Sequence, residues 1–112
     1  MAQNELQKQN RSVTRERPKE PAKYIVSVLN DDFTTFEFVI MVMMTVFMKT
    51  DEDAIQIAET THVHQKAVVG KYTLDIARSK VAKAVAMARA ENFPLAFDIK
   101  PETLYKQNLK CQ

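Results

Sequence analysis

The chain has 112 residues, 46% of them hydrophobic and 27% charged, which is the composition of one soluble globular domain. Its single cysteine, Cys111, excludes an internal disulfide and a cysteine-based metal site. The net charge of +2 arises within residues 1–22, and the balanced remainder indicates no surface for nucleic acid.

Residues 1–22 are mostly polar, and Pro18 and Pro21 lie near their end. Such a segment buries too little apolar area to offset the entropy of ordering, so we predict a flexible N-terminal extension. It lacks the apolar core of a signal peptide, and we therefore expect a cytoplasmic protein. We expect the folded domain over residues 23–102 and a C-terminal tail over residues 103–112.

The first predicted elements are a strand and a helix. Residues 23–30, "KYIVSVLN", alternate β-branched and aromatic side chains, which is typical of a strand. Thr34 and Glu37 have the spacing of a capping box, and the apolar run that follows predicts a helix over residues 36–48. This helix is too short to span a bilayer.

Methionine is concentrated in this first helix. Four methionines occur within eight residues: Met41, Met43, Met44 and Met48. Methionine clusters form adaptable binding surfaces in some proteins, but methionine in a helix more often fills a core. We predict that these side chains belong to the core.

Four further elements follow from hydrophobic periodicity and turn signals. Thr50 and Asp53 repeat the capping spacing at the start of the next helix. The predicted elements are a helix over residues 54–65, a strand over 66–72, a helix over 74–92 and a strand over 95–99. The expected fold is therefore an α+β domain in which a three-stranded antiparallel sheet packs against three helices.

The polar run Asn30, Asp31 and Asp32 lies between two hydrophobic segments. These residue types favour turns and helix starts, and two carboxylates beside an amide also suit a cationic ligand. Both interpretations remain open. A catalytic acid pair is less economical than a turn, and a single glycine precludes a glycine-rich phosphate loop, so we do not expect an enzyme.

His62 and His64 are the only histidines. Two residues apart, they share a face only in an extended segment, and no third ligand lies nearby at a recognisable spacing. A small metal-dependent enzyme that uses both histidines and Asp31 remains a remote alternative. We predict no metal and no other cofactor.

Three stretches carry a family resemblance: "VLNDDFTTFEFVI", "HVHQKAVVGKYTLDIARSKV" and "ARAENFPLAF". They resemble the ClpS family, bacterial adaptors that deliver N-end-rule substrates to the ClpA or ClpC unfoldase and its ClpP protease. The similarity extends from about residue 23 to residue 101, which makes the folded domain a ClpS-like adaptor core. An open alternative is an interaction domain similar to the C-terminal domain of the ribosomal stalk protein, which reads no N-terminus.

The resemblance implies recognition of a bulky hydrophobic first residue, Leu, Phe, Tyr or Trp, together with its free α-amino group. It assigns the amine to Asn30, Asp31 and His62. The implied substrate pocket consists of Asp32, Thr34, Phe36, Val39, Ala58, Thr61 and Leu95. Asp75 and Lys80 match positions that contact the N-domain of the unfoldase. The implied protein is a monomer that binds neither nucleic acid nor membrane.

Three of these positions depart from the usual family pattern. Phe36 and Ala58 occupy positions where methionine is common, and Thr61 occupies one where valine is common. The departures affect the ranking of first residues and leave the amine site intact.

Overall fold

The computed structural model describes residues 22–103 of the chain. Its elements are β1 (Tyr24–Leu29), α1 (Phe36–Thr45), α2 (Asp51–His64), β2 (Lys66–Tyr72), α3 (Leu74–Ala90) and β3 (Ala96–Pro101). The predicted order of strands and helices and the α+β class are confirmed. Most of the predicted N-terminal extension and of the C-terminal tail lies outside the described residues, so both remain predictions.

The sheet places β1 at its centre, in the order β2-β1-β3, and both pairings are antiparallel. β1 is central because its inner residues are apolar or small: Val26 and Val28 are fully buried in the core. The pairing with β2 shifts register between Val26 and Ser27, which leaves Val69 as an extra residue in β2.

The helices α1, α2 and α3 pack on the face of the sheet that carries Val26 and Val28. On the opposite face, ion pairs cross between the two outer strands and their ends: Lys66 Nζ lies 3.1 Å from Asp98 Oδ2, and Lys71 Nζ lies 2.8 Å from Glu102 Oε2. Each such exposed pair contributes about 0.2 to 1 kcal/mol. The face that carries Val26 and Val28 is therefore the one that joins the core.

Helix α3 packs closely against the sheet because its buried side chains are small. Ala77, Ala84 and Ala88 are fully buried and recur at intervals of seven and four residues, which places them along one stripe. The helix ends at Ala90, two residues before the predicted end, and Asn92 adopts a positive φ of 63° just beyond it.

Helix capping agrees with the sequence in α2 and differs in α1. Thr50 caps α2, with its Oγ1 accepting from the Asp53 N–H at 3.1 Å, as predicted. The capping box on Thr34 is wrong by one residue, because Thr35 Oγ1 accepts from the Phe38 N–H at 3.1 Å. The Thr34 hydroxyl donates instead to Asp31.

The methionine prediction is wrong for three residues of four. Met43 is fully buried, but Met41, Met44 and Met48 are 37%, 39% and 72% exposed. Met41 and Met44 share the solvent side of α1 with Glu37, at spacings of four and three residues. The predicted end of the helix at Met48 is also wrong: α1 ends at Thr45, and Met48 has a left-handed φ of 58°.

Across residues 22–103, no helix combines the length and the apolar character needed to cross a membrane.

Candidate functional site

A cavity of about 340 Å³ opens where the segment after β1, the start of α1 and the C-terminal half of α2 meet. Its lining consists of Asn30, Asp31, Asp32, Thr34, Phe36, Val39, Ala58, Thr61 and His62. All nine are residues to which the resemblance assigns the amine or the pocket. The tenth, Leu95, is 1% exposed and packs in the hydrophobic core, outside the lining.

The apolar part of the cavity comes from the packing of α1 against α2. Val39, Ala58 and Thr61 are buried, whereas Phe36 is 41% exposed and stands at the rim. The Thr61 hydroxyl donates to the Ile57 carbonyl one turn earlier, at 2.7 Å. That hydroxyl is therefore already satisfied, and the lining contributed by Thr61 is less polar than its side chain suggests.

Asp31 organises the polar part of the rim. Its Oδ1 accepts from the main-chain N–H groups of Phe33 at 2.8 Å and Thr34 at 2.7 Å, and its Oδ2 accepts from the Thr34 hydroxyl at 2.7 Å. The carboxylate thus closes the turn between β1 and α1, so the turn interpretation of the polar run is correct.

Asp31 is held in its charged form. Desolvation by burial, the largest single influence, raises its pKa, but the hydrogen bonds from Thr34 and Phe33 and the charge of Arg89 act together in the opposite direction. The net result is a pKa below the usual range of an aspartate. A permanent negative charge therefore lies at the rim of the cavity at neutral pH.

Asn30 is oriented by Gln65, a residue that the sequence did not single out. The Asn30 main-chain N–H donates to the Gln65 carbonyl at 2.9 Å, and Asn30 Nδ2 donates to Gln65 Oε1 at 3.1 Å. Because its amide nitrogen is engaged, Asn30 retains Oδ1 as an acceptor for a ligand. Gln65 also donates through Nε2 to the His62 carbonyl at 3.4 Å.

The position of the Gln65 side chain follows from its backbone conformation at the end of α2. It is the C-cap of α2 and has a left-handed φ of 72°. The sequence signal for this position is weak, since left-handed caps are usually glycine or asparagine.

The lining suits a cation that has an apolar group attached. Asn30, Asp31 and His62 supply acceptor atoms of three kinds, and none of the nine lining residues is lysine or arginine. A second cavity of about 290 Å³, between α2 and β2, differs in this respect because its lining includes Lys49 as well as Asp53. Of these two cavities, only the first combines acidic and apolar lining residues without a lysine or an arginine.

The two histidines are separated by their helix. His62 lines the cavity, but both histidines lie on α2, where residues two apart project about 160° away from each other around the helix axis. In the part of the chain that the structure describes, no three His, Cys, Asp or Glu side chains form a cluster that holds a metal.

Asp75 and Lys80 lie on α3 and do not line the cavity. Asp75 is exposed in the first turn. Lys80 is half-buried: its Nζ donates to the Val46 carbonyl at 2.9 Å and lies 5.8 Å from the centre of the Tyr72 ring. Through the bond to Val46, Lys80 links α3 to the segment that connects α1 and α2.

Comparison with known proteins agrees with this geometry. The family model described as ATP-dependent Clp protease adaptor protein ClpS matches residues 19–98. The ClpS adapter of Acetivibrio thermocellus is 50% identical over 84 residues, covering 75% of this chain and 85% of that protein. The ClpS adapter of Burkholderia cenocepacia is 47% identical over 77 residues, covering 69% and 74%.

A solved structure is also similar. Agrobacterium tumefaciens ClpS2 bound to L-phenylalaninamide superposes with a TM-score of 0.70 at 35% identity, over 73% of this chain and 99% of that one. Members of the matching family are adaptors and not enzymes. The cavity, the fold and these matches agree, and the chain belongs to the ClpS family of ATP-dependent Clp protease adaptor proteins.

Proposed function

We propose that this adaptor binds proteins whose first residue is bulky and hydrophobic, Leu, Phe, Tyr or Trp, and carries a free α-amino group. It delivers them to a Clp AAA+ unfoldase for degradation by ClpP. One observation carries the proposal: amine acceptors and an apolar pocket share a single cavity whose lining contains no lysine or arginine. A partner of this kind places the protein in the bacterial cytoplasm.

The amine is recognised by charge and by donor number. A free α-amino group has a pKa of about 7.7 to 8.0 and is mostly an ammonium with three N–H donors at neutral pH. Asn30 Oδ1, an Asp31 oxygen and a His62 ring nitrogen are its acceptors. Asp32 and Thr34 complete the rim beside them.

The first side chain is recognised by burial. It enters between Val39, Ala58 and Thr61 while Phe36 covers it at the rim, and this burial contributes about 1.5 to 3 kcal/mol. The ligand in the Agrobacterium tumefaciens ClpS2 structure, L-phenylalaninamide, is an aromatic residue with a free amine and no following chain. That ligand chemistry supports the same use of the cavity here.

The unfoldase is engaged through α3. Asp75 and Lys80 lie on the first half of this helix and not at the cavity, so one adaptor monomer has room for a substrate and an unfoldase N-domain at once. Because Lys80 also bonds the Val46 carbonyl, its substitution affects both partner binding and the packing of α3.

The test is a fluorescence-anisotropy titration with short peptides that differ only at the first residue or its amine. A phenylalanine-first peptide with a free amine should bind, and its N-acetylated and serine-first versions should not. A pure interaction domain would bind all of them or none. A metal-dependent enzyme would require added metal and would consume the peptide. Equal affinity for the acetylated peptide would refute the proposal.

A further inference from the structure

The solvent side of α1 is unusually apolar. Of its five exposed residues, three are large and hydrophobic: Phe36, Met41 and Met44. The exposed sides of α2 and α3 are composed mainly of charged, polar or small residues. Contiguous apolar surface of this kind usually marks a contact with another molecule.

These side chains form one strip, which we call the α1 strip: Phe36, the half-buried Ile40, Met41 and Met44. Phe36, Ile40 and Met44 follow one another at intervals of four residues and therefore lie along one side of the helix. Eight residues of helix rise about 12 Å, which is the length of about four residues of extended chain.

The α1 strip begins at the cavity. Phe36 both lines the cavity and is 41% exposed, so the cavity wall and the strip share a side chain. A cavity of about 340 Å³ is near the lower limit of ligand pockets and takes one bulky side chain with its amine. The rest of a bound protein must leave across the rim.

The rim offers two exits of different character. One passes Asp32 and Thr34, which are polar. The other passes Phe36 and continues over exposed apolar surface. The first exit offers apolar side chains of the departing segment only the exposed Phe33 ring, whereas the second offers two turns of apolar helix surface and therefore favours them.

We propose that residues two to five of the substrate lie extended along the α1 strip, and that the adaptor consequently prefers apolar side chains there. The proposal rests on the function proposed above and extends it from the first residue to the segment that follows. Methionine is unbranched and polarisable, so Met41 and Met44 accommodate apolar side chains of different shape rather than one particular residue.

If the bound segment is extended, peptide affinity should depend on which alternate positions carry apolar side chains. Alternate residues of an extended chain face the same way, so only residues two and four, or only residues three and five, contact the strip. Three phenylalanine-first peptides test this: serine at positions two to five, leucine at two and four, and leucine at three and five. One leucine peptide should bind about three- to tenfold more tightly than the serine peptide.

Met44→Gln removes the apolar end of the strip while leaving the cavity lining untouched. In this variant the preferred leucine peptide should lose most of its advantage, and the serine peptide should bind as before. Ile76→Gln is the matched control, because Ile76 is 48% exposed on a different helix, α3. It should preserve the advantage in full.

Several outcomes overturn the proposal while leaving the proposed function standing. They are equal binding of all three peptides, an equal gain in both registers, and an advantage that survives Met44→Gln. A Met44→Gln variant that binds every peptide normally but loses unfoldase binding, or changes oligomeric state, assigns the strip to another partner. Failure of the proposed function itself looks different, since the phenylalanine-first serine peptide would then not bind at all.

Discussion

Replacing Asp31 with asparagine should separate the role of this carboxylate in the turn from its proposed role in binding the amine. In the native protein Asp31 accepts three hydrogen bonds within its own turn, two at Oδ1 and one at Oδ2. An asparagine oxygen still accepts from the main-chain N–H groups of Phe33 and Thr34, so the turn should persist. The negative charge beside the ammonium is lost.

The affinity loss follows from that charge. A hydrogen bond to a charged partner contributes about 1.5 to 3 kcal/mol, so Asp31→Asn should weaken binding of a phenylalanine-first peptide by about 10- to 150-fold. Asp31→Ala should lose at least as much affinity. It should also lose about 1 to 3 kcal/mol of stability, because the two N–H groups and the Thr34 hydroxyl lose their acceptor.

Two measurements on each variant provide the assay: anisotropy titration of the peptide and thermal unfolding. For a domain of this size, 1 kcal/mol shifts the melting temperature by roughly 4 to 8 °C. Asp32→Asn is the matched control, since it removes an equal charge from an exposed position on the same rim. If Asp31→Asn binds as tightly as the native protein, or no more weakly than Asp32→Asn, the amine assignment is wrong.

The same residue predicts an acid dependence of stability. Its pKa is lower in the folded protein than the usual aspartate value, so its stabilisation is fully present above the unfolded pKa and is lost as the pH falls through the folded pKa. Melting temperatures measured from pH 6 down to pH 2 should therefore fall less steeply for Asp31→Asn than for the native protein. Parallel curves would contradict this attribution.

The remaining predictions concern other parts of the site. His62→Ala should weaken binding of a phenylalanine-first peptide by removing an acceptor from the cavity lining, whereas His64→Ala, whose side chain is not part of that lining, should leave the affinity unchanged. Gln65→Ala should weaken binding several-fold because it frees Asn30, and thermal unfolding will show whether the fold persists. Peptides that begin with Phe, Trp or Tyr should bind better than a leucine-first peptide, whose unfilled volume costs about 24 cal/mol per Å³, and Ala58→Met should reduce or reverse that ranking. Deleting residues 1–19 should leave peptide affinity unchanged but slow substrate degradation by the unfoldase and protease.

The elements were predictable from sequence wherever one periodicity or one cap dominated. At the start of α2, Thr50 has the capping spacing to Asp53, and its hydroxyl caps the helix as expected. Before α1, Thr34 and Thr35 both satisfy the local rule. The choice between them is made by Asp31, which binds the Thr34 hydroxyl and leaves Thr35 for the helix.

The methionines show where periodicity fails. When a helix is apolar on nearly every side, its sequence does not indicate which side is buried, so Met43 and Met44 cannot be distinguished from the sequence. Packing against α2 and the sheet decides which of them is buried, and those contacts are long-range. The result is one fully buried methionine beside one that is 39% exposed.

The site was predictable only in part from the residues themselves. Composition and turn preference left Asn30, Asp31 and Asp32 as a turn or as a cation site, and neither distinguished His62 from His64. The family resemblance made that distinction, and the structure places His62 at the cavity that Asn30 and Asp31 line. Gln65 was missed because its role depends on a left-handed backbone at the end of α2, which no local pattern marks.

The hydrogen bonds of Asp31 explain how one short loop can stabilise the fold and also present acceptors for the proposed amine ligand. A carboxylate has about four lone-pair positions, and the turn occupies three of them, two on Oδ1 and one on Oδ2. The remaining position on Oδ2 belongs to an oxygen that is already fixed in place. Asn30 is fixed in the same way, since Gln65 binds its amide nitrogen and leaves its oxygen. Both acceptors are therefore ordered before a ligand binds. Binding of an ammonium at the proposed site would lose little conformational entropy of the protein.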